Sequence, residues 1–295
     1  MQIGNTIRKY RKEKGMTQEK INTLLLEADG LFKTMDYADV FQWIKAKLEL
    51  YPNCLPLIWQ FSSLLDAQRL FKPVPDADHY DTFILTCYHR VLESEDETLR
   101  TQAADSLFSY YLRKEEYHTA EQYLSYFSLQ NPQRKLKQAI IYQKTGRLAD
   151  AYRTSEELLF SGYQILNMTL QNLYLLSMEE SDLKKAHFFT DKQQALAKVF
   201  EMGKYHEVSC KLELATVEKD ADTVLDIMEA MLDSIDQIAN YTASALYEHM
   251  NLKQTSPTFF KDLKNNLLCC FRDESTYGFL KSEERWENLA QSTPQ

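Results

Sequence analysis

The side chains that most often carry chemistry are present but dispersed. His79 and His89 stand ten residues apart, His187 and His206 nineteen, whereas two ligands on one helix face need a spacing of three or four. Cys54, Cys87, Cys210, Cys269 and Cys270 form an odd set without a CxxC pair, which reads as reduced thiols in a cytoplasm. Cys269 and Cys270 adjoin in the helical pattern "NNLLCCF"; about 100° apart, they are expected to be packing residues without a shared metal or redox role. Glu115 with Glu116 and Glu283 with Glu284 are adjacent charges on different faces, as at solvated helix starts. No phosphate loop, HExxH or GxSxG occurs, and seven glycines leave little for a nucleotide cradle. Neither catalysis nor a cofactor or metal is expected, and binding is what the side chains leave.

Charge narrows the binding partners. The first twenty residues hold six Lys or Arg against two Glu, so residues 21 to 295 carry −13 of the net −9. An acidic body repels nucleic acid and anionic membrane, and no run of about 18 apolar residues is present. Any phosphate contact therefore belongs to the N-terminal arm, and no membrane partner is expected.

The positioning elements must be helices. Seven Gly and seven Pro in 295 residues build few turns, so long helices with tight connections follow. The chain also repeats itself: "KTMDYADVFQWIKAKLELYPN" and "RKEEYHTAEQYLSYFSLQNPQ" align without gaps, Tyr37, Val40, Ile44 and Lys47 matching Tyr117, Ala120, Leu124 and Phe127. Spacings of three, four and three place these on one face, with a small residue where a neighbouring helix approaches. Weaker copies put Leu148, Leu183 and Ala221 at the Tyr position, with Ala151, Ala186 and Val224 at the small one. A further pair is expected near 55–71 and 79–94.

These segments resemble tetratricopeptide repeats. The resemblance implies an all-α solenoid of about six helical pairs over residues 20–254, closed by capping helices over 255–295 that begin at Ser256 and Ser282. Only Gly146 supplies the glycine that such repeats carry two places before the turn position; Met35, Glu115, Ser181 and Lys219 stand there in the other copies. First helices line the concave groove in such stacks. Counting back from each turn position assigns Gln102, Asp105, Ser109 and Arg113 to it, then Met168, Gln171, Leu175 and Glu179, then His206, Ser209, Glu213 and Val217. Of these, Gln102, Asp105, Ser109, Arg113, Gln171, His206 and Glu213 are the candidate contacts to an extended peptide or protein segment, whose amides such polar groups could pair.

Residues 3–18, "IGNTIRKYRKEKGMTQ", resemble the opening of the phage-repressor-like helix-turn-helix of bacterial regulators that carry a C-terminal tetratricopeptide sensor. The resemblance gives Arg8, Arg11, Thr17 and Gln18 as remnant DNA contacts in a segment 1–19. After Gln18 the pattern departs, with Asn22 and Leu26 where Ala and Gly belong, and Thr17 to Lys33 reads as one helix leading into the repeats. DNA contact is then expected only weakly or through a partner.

Two functions stay open: a sensor related to such regulators, or an adaptor or scaffold without a DNA role, self-association into a homodimer being compatible with it. An Asn or Arg cluster facing the groove would favour the first, an exposed apolar stripe the second. With no recognition helix to supply base contacts worth about 1 to 3 kcal/mol each, selection from random duplexes should yield no consensus. Recovery of a palindromic site bound at nanomolar affinity would contradict this.

Overall fold

The computed structural model describes residues 16–71, 74–75, 77–252 and 256–291. Among these all regular structure is helical and no strand occurs. The chain divides into two compact units, Met1–Gly146 and Arg147–Gln295, a division that falls inside the expected repeat stretch. No helix among the described residues is long and apolar enough to cross a membrane.

Unit 1 contains α1 (Gln18–Leu31), α2 (Tyr37–Leu50), α3 (Leu55–Phe71), α4 (Ala77–Leu92), α5 (Glu97–Arg113), α6 (Tyr117–Gln122) and α7 (Pro132–Lys144). Local chemistry fixes several starts. The Thr17 hydroxyl accepts from Lys20 N–H at 3.2 Å, Asp96 caps Thr98 N–H at 2.8 Å, and Asn131 caps α7 ahead of Pro132 at its first position. Each helix packs on the next, and α3 also meets both α1 and α5. Val40, Ile44, Phe61, Leu107, Ala120 and Leu124 meet in one core. The repeat helix that begins at Tyr117 tightens into a 3-10 turn over Tyr123–Tyr126, where the Ser125 hydroxyl takes the Gln122 carbonyl at 2.7 Å.

Unit 2 contains α8 (Leu148–Glu179), α9 (Leu183–Val199), α10 (Lys204–Ser209), α11 (Leu212–Glu218), α12 (Ala221–Asp233), α13 (Pro257–Phe271), α14 (Glu274–Tyr277) and α15 (Glu284–Gln291), with 3-10 turns at Ile235–Gln237, Asn240–Ala243 and Gly278–Leu280. Two expectations change. The second helix of one copy and the first helix of the next fuse into α8, 32 residues long, because no Pro or cap interrupts them and Gly162 alone does not stop a helix. The first helix before Ala221 instead breaks at Cys210 and Lys211, so His206 and Glu213 sit on separate short helices. The tail behaves as the caps predict at Ser256, whose hydroxyl accepts from Phe259 N–H at 3.3 Å. Leu268, Phe271, Leu280 and Trp286 join Met228 and Leu232 of α12 in one core, and Arg285 grips Glu229 and Asp226 at 2.7 Å.

Every aligned turn position, Tyr37, Tyr117, Leu148, Leu183 and Ala221, is the first residue of a helix. Two residues earlier the backbone is left-handed at Glu115, Gly146, Ser181 and Lys219, with φ of 62°, 76°, 57° and 56°. The bonding is that of a Schellman stop. Glu116 N–H reaches Tyr111 O at 2.9 Å, Asp182 N–H reaches Ser177 O at 2.9 Å, and Asp220 N–H reaches Ala215 O at 3.0 Å. The geometry of glycine thus recurs without glycine at three exposed positions. A side chain held at positive φ costs about 1 kcal/mol or more, partly offset by the extra freedom glycine has when unfolded. Glu115→Gly, Ser181→Gly and Lys219→Gly should therefore each raise stability in urea denaturation, by about 0.5 kcal/mol.

Candidate functional site

Unit 2 holds a cavity of about 720 Å³. It exists because the segment after α12 does not form another helix pair but folds back over α8. Glu156, 7% exposed, fixes that segment by accepting from His249 N–H and lying against His249 Nδ1, both at 2.7 Å. The Tyr247 hydroxyl donates to Phe200 O at 3.0 Å. Tyr241 stacks on Phe160 with centroids 5.5 Å apart.

The walls of the cavity are mixed. Phe160, Tyr163, Met168, Met202, Tyr241 and Phe259 give it apolar and aromatic surface, while Gln164, Asn167 and His206 give it polar groups. Burial pushes the Tyr163 hydroxyl up to about 12 and lowers the His206 imidazole below its ordinary value, so both are neutral at pH 7. His206 Nε2 donates to Ile238 O at 3.3 Å. Behind the cavity Gln193, 3% exposed, donates to Asn167 Oδ1 at 3.4 Å and to Gln171 Oε1 at 3.1 Å. An amide row on α8 is thereby held in fixed rotamers. What the site can do is seat an apolar side chain and hydrogen-bond the chain that bears it.

A charged concavity lies in unit 1, about 310 Å³ beside Asp66, Arg69, Tyr110, Arg113 and Lys114. Its charges are already paired. Arg113 donates to both oxygens of Asp66 at 2.7 Å, and Asp81 accepts from Arg69, from the Tyr110 hydroxyl at 2.8 Å and from Lys114 at 3.1 Å. Burial by itself would raise the Asp81 carboxyl, but those hydrogen bonds outweigh it and hold the pKa below its usual 3.8. The cluster staples α3, α4 and α5 at one end.

The sequence-predicted contacts fall into two groups. Gln102, Asp105, Ser109 and Arg113 all lie on α5 in unit 1, where Asp105 pairs with Lys137 of α7 and a ligand at Arg113 would compete with Asp66. Gln102 and Ser109 are half-buried. In unit 2, Gln171 belongs to the amide row and His206 to the cavity wall, while Glu213 lies by Tyr174, whose hydroxyl is pushed to about 12, first by burial and then by that carboxylate. Thr17 and Gln18 serve α1, Gln18 Nε2 donating to Asn22 Oδ1 at 3.0 Å. Arg8 and Arg11 lie outside the described residues.

Sequence reasoning missed the aromatic half of the cavity, Phe160, Tyr163 and Tyr241; the sign for Tyr241 was the non-repeating stretch "NYTASALYEHM", and Phe160 and Tyr163 had none. None of the five cysteines forms a disulfide. Cys269 and Cys270, expected to pack, are both exposed, since Leu268 and Phe271 take the inward face of α13. Comparison of the chain with protein-family models, with curated proteins and with solved structures finds no match.

A carboxyl whose folded pKa is depressed stabilises fully above its unfolded value and loses that contribution as pH falls through the folded one. Asp81→Asn should therefore cost about 3 kcal/mol at pH 7. The gap to the parent protein should narrow below about pH 4, as read from denaturant melts at pH 7 and pH 3.

Proposed function

We propose that this chain is a non-catalytic binding protein of the helical-repeat kind, whose unit 2 cavity takes a large apolar side chain from a peptide or protein segment. The observation that carries the reading is the cavity itself, where aromatic and thioether walls adjoin an amide row fixed by Gln193. An extended segment has alternating side chains to anchor and backbone amides to pair, which such a wall meets together. The kinship to tetratricopeptide stacks is supported by the five helix starts at aligned positions, by the left-handed stops before four of them, and by Val40, Ala120, Ala186 and Val224, all fully buried at the small position. Descent from a helix-turn-helix regulator rests on residues 3–18 and is consistent with α1 running from Thr17 straight into the first pair.

A second reading, an adaptor or scaffold acting through protein–protein contact, is favoured by a separate observation. Along α8, Leu148, Tyr152, Ile165, Leu166 and Leu176 each expose about half of their surface.

Display of random peptides against the purified protein should enrich sequences with one large apolar anchor. Ala239→Trp, which fills the cavity, should weaken the selected peptide at least about tenfold, with Arg113→Ala and Glu213→Ala run beside it. Failure to enrich any peptide, or full affinity in Ala239→Trp, would remove the cavity from consideration.

A further inference from the structure

From Leu158 to Met178 the helix α8 carries no charged residue, although half of its surface faces solvent. Its exposed side is ordered in sevens. Tyr152, Leu159, Leu166 and Leu173 recur every seven residues, and Leu148, Ser155, Gly162, Thr169 and Leu176 recur every seven between them. Spacings of four and three make this the a and d seam of a coiled coil. Of the nine positions all are exposed except Gly162, which is half-buried. A seam from Leu148 to Leu176 is about 42 Å long at 1.5 Å per residue, and an apolar strip of that length marks an interaction site.

The distribution of sizes along the seam identifies the occupant. One set is large throughout, whereas the other is small at its three central places, Ser155, Gly162 and Thr169. Gly162 has no steric reason within the chain: a Cβ added there meets nothing within 4 Å, and its backbone is ordinary helix. Glycine in mid-helix costs about 1 kcal/mol relative to alanine, so its fit is to something outside the fold. A second α8 laid antiparallel, with position 164 at the centre, provides it. Leu166 then faces Gly162 of the second copy, Leu159 faces Thr169, Leu173 faces Ser155 and Tyr152 faces Leu176, a large residue meeting a small one at the three inner layers. The same register sets Leu148 against Glu180, so the seam closes on a charged layer at each end. A parallel pair would stack large on large and leave gaps at the small layers.

We infer that the protein forms a two-fold dimer through antiparallel α8 helices, with Gly162 as the notch that receives Leu166. The surface is separate from the cavity wall, so the inference stands or falls independently of the peptide reading.

Sedimentation of the full chain should show a dimer. Leu166→Glu, which places a charge in the closed seam, and Gly162→Leu, which fills the notch without adding charge, should each raise the dimer dissociation constant about 100-fold or more. Leu166 is half exposed and a Cβ at position 162 meets nothing within 4 Å, so helix content should be kept. Leu129→Glu, at a residue 77% exposed outside the seam, should leave the dimer intact. For direction, Leu159→Cys and Thr169→Cys proteins in a Cys269→Ser, Cys270→Ser background are mixed and oxidised. Disulfides joining unlike variants are expected. A monomer at 100-micromolar order of concentration, a dimer indifferent to both seam variants, or disulfides between like variants alone would overturn the proposal.

Discussion

Unit 2 depends on one contact, the packing of α8 along α9. Tyr174, Ser177 and Tyr163 are the residues α8 buries on that side, and Ala186 and Ala197 of α9 are small enough to let the two axes approach. The folded-back segment, the cavity and α10 are hung on this pair. Glu156 on α8 anchors the folded-back segment through His249, the cavity wall is the next strip of α8 around the helix, and α10 packs on α9. A helix of 32 residues has surface to spare once one stripe is buried, and here the remainder is amide and apolar instead of charged. That choice leaves α8 with a fixed face, a cavity face and an outer face, each of different chemistry.

Unit 1 solves its stability differently. It gathers one larger core, with Phe41 meeting Tyr80 and Phe83 edge to face at 4.8 and 5.0 Å, and Asp66 and Asp81 are drawn inward and paired. Asp81 has three donors, which matters because a buried carboxylate left with one would cost several kcal/mol. Arg113 illustrates how a residue of the right type at the right spacing acquires a structural duty. Its guanidinium fits a carboxylate in a bidentate way, and Asp66, 47 residues away in sequence, takes that fit.

The helical nature of the chain and the starts of its helices were legible because both follow from local rules. Apolar spacing marks a face, and Thr17 and Ser256 mark starts. The stops were harder to see. Ser181 and Lys219 occupy the left-handed place where glycine would have signalled it, and only the backbone reveals that the turn is the same. Conversely Gly162 looks like a punctuation mark and is not one. The candidate site was half legible. Gln171 and His206 follow from the repeat register, yet Tyr241 and Phe259 reach the same cavity from segments with no period, through contacts some 35 to 100 residues apart that spacing cannot encode. Asp105 and Arg113 share a helix face as counted, but their partners come from other helices.

Glycine at position 162 also constrains how the outer face of α8 evolved its composition. A solvated helix face is ordinarily defended by charge, which both favours water and forbids pairing with a copy of itself. Residues 158–178 have no such defence, and Leu166, Leu173 and Leu176 stay 50%, 36% and 47% exposed. Helix propensity would favour alanine at 162 and serine or threonine at neither 155 nor 169. The three smallest side chains of the stripe are therefore the three that the single chain explains least, and they fall at equal intervals of seven. A random loss of side-chain volume would not keep that interval; packing against a straight, regular object of the same pitch would, and an α-helix carrying bulky residues at the same interval is such an object.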